Sequence, residues 1–257
     1  MPSDVKIRAQ VYRDPRPAEL FEPFHRRVRD HPPEWIYEAV RVTTVLTALT
    51  LFRARAFGSE NVPNGPVILA PNHASYMDHF FVGGFIRRHV QFMAKSQMFG
   101  NHPMSWVYNH GGVFPVRRGY QDEEAFVTAF RILERGGAIG MYVEGGRSRT
   151  GELGTDARAG IGRLAVESGA PVVPVAILGS HQVRNWSRLR FPKVVVRYGR
   201  PVRFERHGQS TREQYQRVAD EILRRIREMH SQLAEAGRHG AVRAARAGAA
   251  ADRTAAT

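Results

Sequence analysis

The order of apolar patterns along the chain predicts an α/β fold: a mostly parallel central sheet flanked by helices, preceded by an N-terminal helical segment suited to docking on a membrane. Two observations carry this. From about residue 57 to 236, short strand-like runs alternate with segments of helical periodicity, and strands joined through helices pair in parallel with both faces covered. The 257 residues are 42% hydrophobic, which is enough for one sizeable core.

Residues 1–56 read as an arm followed by an apolar helix. Pro15, Pro17 and Pro23 break any long helix over residues 1–30. Pro32 and Pro33 then precede a helix from about Glu34 to Arg53. Its uncharged run, Val42 to Phe52, rises roughly 16 Å, about half of a roughly 30 Å hydrocarbon core, so it does not span a bilayer unaided. It is either an interfacial helix or one packed on the sheet. Asn61, Pro63, Asn64, Gly65 and Pro66 form a turn cluster, and a domain boundary is expected near residue 57.

Val67–Ala70 then reads as a buried strand, Asp78–His89 as a helix and Gln91–Ala94 as a second strand. Val113–Val116 is a third, whose Pro115 suits a sheet edge or a strand end. Phe126, Ala129, Phe130 and Leu133 share one face of a helix from Asp122 to Glu134, ended by Gly136 and Gly137. A strand over Ala138–Val143, a helix over Gly160–Ser168 and a strand over Val172–Leu178 follow. Lys193–Tyr198 and Pro201–Phe204 are late strands. Ser210 with Glu213 makes a capping box, opening a helix that carries Tyr215, Val218, Ile222, Ile226, Met229 and Leu233 on one stripe. Beyond Gly237 the composition falls mainly to Ala, Arg, Gly and Thr, so residues 237–257 read as a disordered tail.

The net charge of +14 comes almost wholly from arginine. It favours anionic partners: nucleic acid, acidic lipid surfaces or phosphate-bearing substrates. With no cysteine, disulfides, thiolate zinc sites and a cysteine nucleophile are excluded. The polar stretch Met1–Arg29 lacks the apolar run of a signal peptide, so a cytoplasmic chain is expected. Walker phosphate loops, G-x-S-x-G elbows, H-E-x-x-H helices and G-x-G-x-x-G turns after a strand are all missing.

Four blocks carry chemistry-bearing residues. Asn72-His-Ala-Ser-Tyr-Met-Asp78 follows a buried strand directly, where open α/β sheets place their sites. His73 and Asp78 meet only if His73 lies on the loop and Asp78 in the first helical turn. The pair is then either a base held by a carboxylate or a loop histidine beside a helix-capping aspartate. Glu144-Gly-Gly-Arg-Ser-Arg-Thr-Gly151 also follows a strand. Its glycines let backbone approach a ligand, and its arginines offer bidentate forks for phosphate; a solvated glycine-rich loop is the bland alternative. Gly111–Gly119 ends a strand in the basic pair Arg117-Arg118. Ala170–Ile177 holds Pro171 and Pro174 in an apolar strand, suited equally to shaping a groove wall and to substrate contact.

In this order, the four blocks resemble the lysophospholipid and glycerol-phosphate acyltransferase superfamily. Its N-H-x-S-x-x-D block is matched by Asn72, His73, Ser75 and Asp78. Glu144, Gly145, Arg147 and Ser148 match its E-G-T-R-S block, with Gly146 in place of threonine and Val143 in place of the usual proline. Arg118 takes the arginine of its Asp-Arg pair, and Arg117 replaces the acid. Arg158 and Gly160 stand where lysine and glycine are frequent, and Val173, Pro174 and Val175 match the last block. The resemblance covers roughly residues 57–205.

The resemblance implies a glycerol-phosphate acyltransferase-like fold and an O-acyltransferase of phospholipid biosynthesis. The acyl group would pass from acyl-CoA or acyl carrier protein to 1-acylglycerol-3-phosphate, giving phosphatidic acid. Glycerol-3-phosphate or another lysolipid or glycolipid is the alternative acceptor. His73 would be the base and Asp78 its orienting partner. Arg118, Glu144, Gly145, Arg147 and Ser148 would form the acceptor site, with Asn72, Ser75, Arg117, Gly146, Arg149 and Arg158 as further candidates. No cofactor or metal is expected, because a thiolate leaves without Lewis-acid help. The chain would work on an anionic membrane surface at the cytoplasmic face, as a peripheral or monotopic protein. A basic nucleic-acid-binding protein is the non-enzymatic rival; it explains the charge but not the ordered blocks, so no specific nucleic acid is expected.

Overall fold

The computed structural model describes residues 13–100, 102–120, 122–148, 150–183, 191–205 and 211–254. The strands are β1 (Arg55–Phe57), β2 (Val67–Pro71), β3 (Val90–Lys95), β4 (Phe114–Val116), β5 (Ala138–Gly140), β6 (Val172–Leu178) and β7 (Val195–Tyr198). They form one sheet in the order β1-β7-β6-β2-β5-β3-β4. Every pairing is parallel except β6 with β7. The helices are α1 (Glu22–Asp30), α2 (Trp35–Thr50), α3 (Asp78–Gly84), α4 (Pro103–His110), α5 (Glu123–Glu134), α6 (Ala159–Ser168), α7 (Arg212–Glu235) and α8 (Gly237–Thr254).

The pleat sorts neighbouring residues onto opposite faces. Ile68 and Ala70 of β2 join Ile139, Val172 and the buried sides of α1, α5, α6 and α7. Val67 and Leu69 join Val173, Val175 and Val196 under α2 and α3. All the parallel strands therefore present their carboxyl ends along one edge.

Several elements differ from the sequence expectation. The helix opening at Asp78 stops at Gly84 rather than His89. Two successive glycines are poor helix formers, and a Cβ at Gly84 would lie 2.6 Å from Val45, so α2 packs close there. Strand β5 ends at Gly140, although Met141 and Val143 still donate backbone hydrogen bonds to Leu69 and Pro71 at 3.0 and 3.5 Å. Residues 201–204 contribute only the bridge Val172–Val202. Ser210 lies outside the described residues; the observed cap of α7 is Thr211, whose side chain accepts from the Gln214 N–H.

The expected division at residue 57 does not hold for the described part of residues 1–56. Strand β1 pairs with β7, and Val28 of α1 belongs to the core. The expected disordered tail is corrected too: residues 237–254 form α8. Alanine is the strongest helix former, and Ala241, Ala245 and Ala249 recur every four residues as a buried stripe. Arg197 of β7, itself only 6% exposed, donates to Asp252 at 3.2 Å and to Gln232 at 2.6 Å, tying α8 and α7 to the sheet. Gly248 leaves the room that the Arg197 guanidinium occupies.

Among the described residues no helix is long and apolar enough to cross a membrane. Helix α2 buries Ala48 against α3 and the sheet while Trp35, Val42 and Leu46 stay exposed at 67%, 53% and 58%.

Candidate active site

Parallel topology gathers the blocks at one edge. The chain leaves β2 into Asn72–Asp78, β4 into Arg117–Arg118, and β5 through Tyr142 into Glu144–Ser148. Hydrogen bonds then lock the first and third blocks together. The His73 N–H donates to Glu144 Oε2 at 3.0 Å, and the His73 carbonyl accepts from the Ser148 N–H at 2.7 Å. Glu144 Oε1 also accepts from the Gly154 N–H. Asn72 anchors the loop to β6: its side chain donates to the Ile177 carbonyl at 3.1 Å and accepts from the Ile177 N–H at 2.7 Å.

His73 Nδ1 lies 2.9 Å from Asp78 Oδ2. The same oxygen accepts from the backbone N–H groups of Ala74 and Ser75, each at 2.7 Å. An oxygen already accepting two N–H groups requires a donor at Nδ1, so the proton sits there and Nε2 keeps its lone pair. Asp78 is fully buried. It is thus both a capping residue and the partner of His73, and the two sequence readings merge. The Tyr142 ring stacks on the imidazole at 3.8 Å between centroids and 18° between planes. Burial is the main reason that the His73 pKa falls below the usual histidine value; the Asp78 carboxylate opposes this, and the positive charges of Arg147 and Arg118 add to it. The imidazole is therefore neutral at pH 7, as a base must be. Neighbouring His79 is pushed down to about 4, chiefly by burial.

Arg118 is also desolvated, and the charges of Arg147 and Arg158 lower its pKa further. The charges of Arg118 and Arg147 thus act on His73, and that of Arg158 acts on Arg118. Among the described residues none of the three pairs with a carboxylate. Arg147 lies over the Tyr76 ring, 3.2 Å from its centroid, which fixes it against the first block. Gly145 has φ +63, and a Cβ there would meet Arg158 Cγ at 2.8 Å. Cations held together at a strand edge attract anions.

The remaining candidates do other things. Glu144 braces two backbone segments, and Ser148 Oγ accepts from the Gly151 N–H at 3.2 Å. Ser75 Oγ accepts from the Met77 N–H at 3.2 Å, a local turn bond. A Cβ at Gly146 would meet nothing within 4 Å. Arg117 turns away, donating to the Arg16 carbonyl at 2.9 Å. Arg149 lies outside the described residues. The last block is core: Val173 and Val175 are buried and Pro174 pairs in register with Ala70. Sequence reasoning missed Tyr76 and Tyr142, whose aromatic character beside the two blocks was the available signal. Among the described residues no group of three His, Cys, Asp or Glu side chains could hold a metal.

Residues 53–178 match the family model described as Acyltransferase. A chloroplastic 1-acyl-sn-glycerol-3-phosphate acyltransferase of Arabidopsis thaliana is 23% identical over 170 residues, covering 64% of this chain and 45% of that protein. A glycerol-3-phosphate acyltransferase of Colwellia psychrerythraea is 29% identical over 126 residues, 46% of this chain and 14% of that protein. The chain thus spans less than half the length of either relative. The crystal structure of the 1-acyl-sn-glycerophosphate acyltransferase of Thermotoga maritima shares the fold, with a TM-score of 0.63 at 22% identity over 83% of this chain and 88% of that one.

Proposed function

We propose, for a chain that belongs to the lysophospholipid and glycerol-phosphate acyltransferase superfamily, the transfer of a fatty acyl group from a thioester to the hydroxyl of 1-acylglycerol-3-phosphate, making phosphatidic acid. One observation carries the reading: the His73–Asp78 pair feels the charges of Arg118 and Arg147, which with Arg158 form a cluster that no carboxylate among the described residues neutralises.

In the reaction, Arg118, Arg147 and Arg158 hold the acceptor phosphate and so orient its hydroxyl toward His73. His73 Nε2 takes the hydroxyl proton as the oxygen attacks the thioester carbonyl. The Asp78 carboxylate stabilises the imidazolium that forms. The tetrahedral adduct then expels the thiolate, which receives the proton back from His73. Ester and thiol are the products, and no cofactor or metal takes part. The donor is acyl-CoA or acyl carrier protein.

The exposed Trp35, Val42 and Leu46 of α2 support docking on an anionic lipid surface at the cytoplasmic face. Apolar burial and basic charge act together in such helices. Substituting Val42 and Leu46 by glutamate should release the protein from anionic vesicles in a sedimentation assay; unchanged sedimentation removes α2 from the interface.

Labelled palmitoyl-CoA and palmitoyl carrier protein, each offered with 1-acylglycerol-3-phosphate, glycerol-3-phosphate and lysophosphatidylcholine, test the whole reading by lipid analysis. Labelled phosphatidic acid is expected. Product with glycerol-3-phosphate alone favours the second acceptor, which the Colwellia relative and the run Glu144-Gly-Gly-Arg-Ser-Arg-Thr-Gly151 support. No thioester consumption, with a salt-dependent shift of random DNA, overturns the enzymatic reading.

A further inference from the structure

We propose that Asp14 and Arg16 are positioning residues of the acceptor site: they form a strap across the carboxyl ends of β3 and β4 that holds the Arg117–Tyr120 turn and thereby aims Arg118 at the acceptor phosphate. This rests on reading Arg118, Arg147 and Arg158 as the phosphate site. Both strap residues lie outside the matched stretch 53–178.

The strap is built around a buried carboxylate. Asp14 is 1% exposed. It accepts from Arg16 Nε at 2.9 Å, Arg16 Nη2 at 2.7 Å, the Arg16 N–H at 3.2 Å and Ser96 Oγ at 2.7 Å. The Arg16 guanidinium also donates to the Phe99 carbonyl at 2.5 Å and to the Ser96 carbonyl at 2.8 Å. It also stands over the Phe21 ring, 4.9 Å from its centroid. Residues 14–16 are thereby fixed to the chain leaving β3.

A second set of bonds joins the strap to the chain leaving β4. Arg117 Nη2 donates to the Arg16 carbonyl at 2.9 Å, and Tyr120 Oη donates to the Asp14 carbonyl at 3.3 Å. The Arg117 guanidinium lies over the Tyr120 ring, 4.3 Å from its centroid. From the other side, Asp122 Oδ2 accepts from the Arg117 N–H at 2.6 Å, and Gly119 turns the chain at φ +84.

The consequence falls on Arg118. It has two cationic neighbours and, among the described residues, no carboxylate partner. Like charges drive a free side chain toward water, so its place in the cluster depends on a held backbone. Arg118 is the first central residue of a turn that the Tyr120 N–H closes on the Arg117 carbonyl at 3.3 Å, so fixing the two ends of the turn fixes the backbone that carries it. With Arg117 and Tyr120 bound to the strap, Arg118 is left facing the cluster. This also gives Arg117 a structural task of its own.

The test is a coupling measurement. Asp14→Ala and Arg16→Lys are each made in wild type and in Arg118→Ala, and kinetic constants are measured for acceptor and donor. Each strap change should raise the acceptor KM by about fivefold or more while kcat and donor KM stay within about twofold. In the Arg118→Ala background the same change should add less than about twofold, because its effect passes through that side chain. An unchanged acceptor KM, or a rise of equal size without Arg118, overturns the strap. If Asp14→Ala does not fold, Tyr120→Phe carries the prediction at about two- to threefold, since it removes only one hydroxyl. Calorimetric titration with glycerol-3-phosphate reads the same pattern without turnover. A chain that turns over no thioester but loses phosphate affinity through the strap defeats the acyltransferase reading and keeps this one.

Discussion

Asp78→Asn isolates the negative charge from the geometry. In the native site one carboxylate oxygen accepts from His73, Ala74 and Ser75, while the other, Oδ1, is buried without a partner among the described residues. The amide oxygen of the substituted side chain can keep all three bonds, with its NH₂ placed where Oδ1 now sits, so the loop retains its shape. The charge that stabilises the imidazolium is lost. With charge centres about 4 Å apart and an effective dielectric of about 20, that interaction is about 4 kcal/mol. A charge-assisted hydrogen bond on its own contributes about 1.5–3 kcal/mol. These bracket a fall in kcat/KM of about 10–10³. The assay is thiol release from palmitoyl-CoA across pH, beside a thermal melt to check the fold. Because the Asp78 charge raises the His73 pKa, its removal must also move the acidic limb of the profile to lower pH. Activity within about tenfold of wild type, or a limb that moves upward, refutes the pairing as a catalytic device.

Other outcomes follow from the same coordinates. Arg158→Ala should raise the acceptor KM about tenfold with the donor KM unchanged, since one phosphate fork is lost; initial rates with each substrate varied will show it, and a donor-side effect reassigns the residue. Gly162→Ala would put a Cβ 1.9 Å from the Tyr215 carbonyl where α6 meets α7, so a loss of about 3 kcal/mol or more in a urea melt is expected. His25 is buried against Thr128 with its pKa pushed down to about 4, chiefly by burial. The unfolded chain takes up that proton as pH falls through about 6.5, and the folded chain resists until about 4. Stability should therefore fall from pH 6.5 toward 4, by about 2 kcal/mol at pH 5 from this residue, and His25→Gln should flatten that slope in urea melts.

Legibility tracked signal strength. The sheet was readable because β2, β3 and β6 are short apolar runs ended by turn residues, and the His73–Asp78 pair because it directly follows one of them. Helix α4 escaped because its eight residues show no apolar period; its cap is local, with His102 accepting from the Ser105 N–H. The C-terminal helix is not legible in sequence because its low complexity matches that of a disordered tail, and the helix propensity of alanine alone does not order a chain. What orders it, Arg197 reaching Asp252 across 55 positions, has no local signature. The same holds at the site. Each arginine was visible singly, but their convergence depends on three loops meeting at one edge, and the bracing by Asp14 and Arg16 depends on contacts 80 or more residues apart. Tyr142 looked like a strand residue until its ring was found against His73.

Thioester consumption by His73→Ala, with donor and acceptor saturating and folding verified by a melt, reads the proton-transfer step by itself. A base at position 73 requires a fall of about 10²–10⁴ in turnover with acceptor affinity retained. Turnover within about threefold of wild type means that some other group accepts the proton, and that the guanidinium cluster serves a different chemistry.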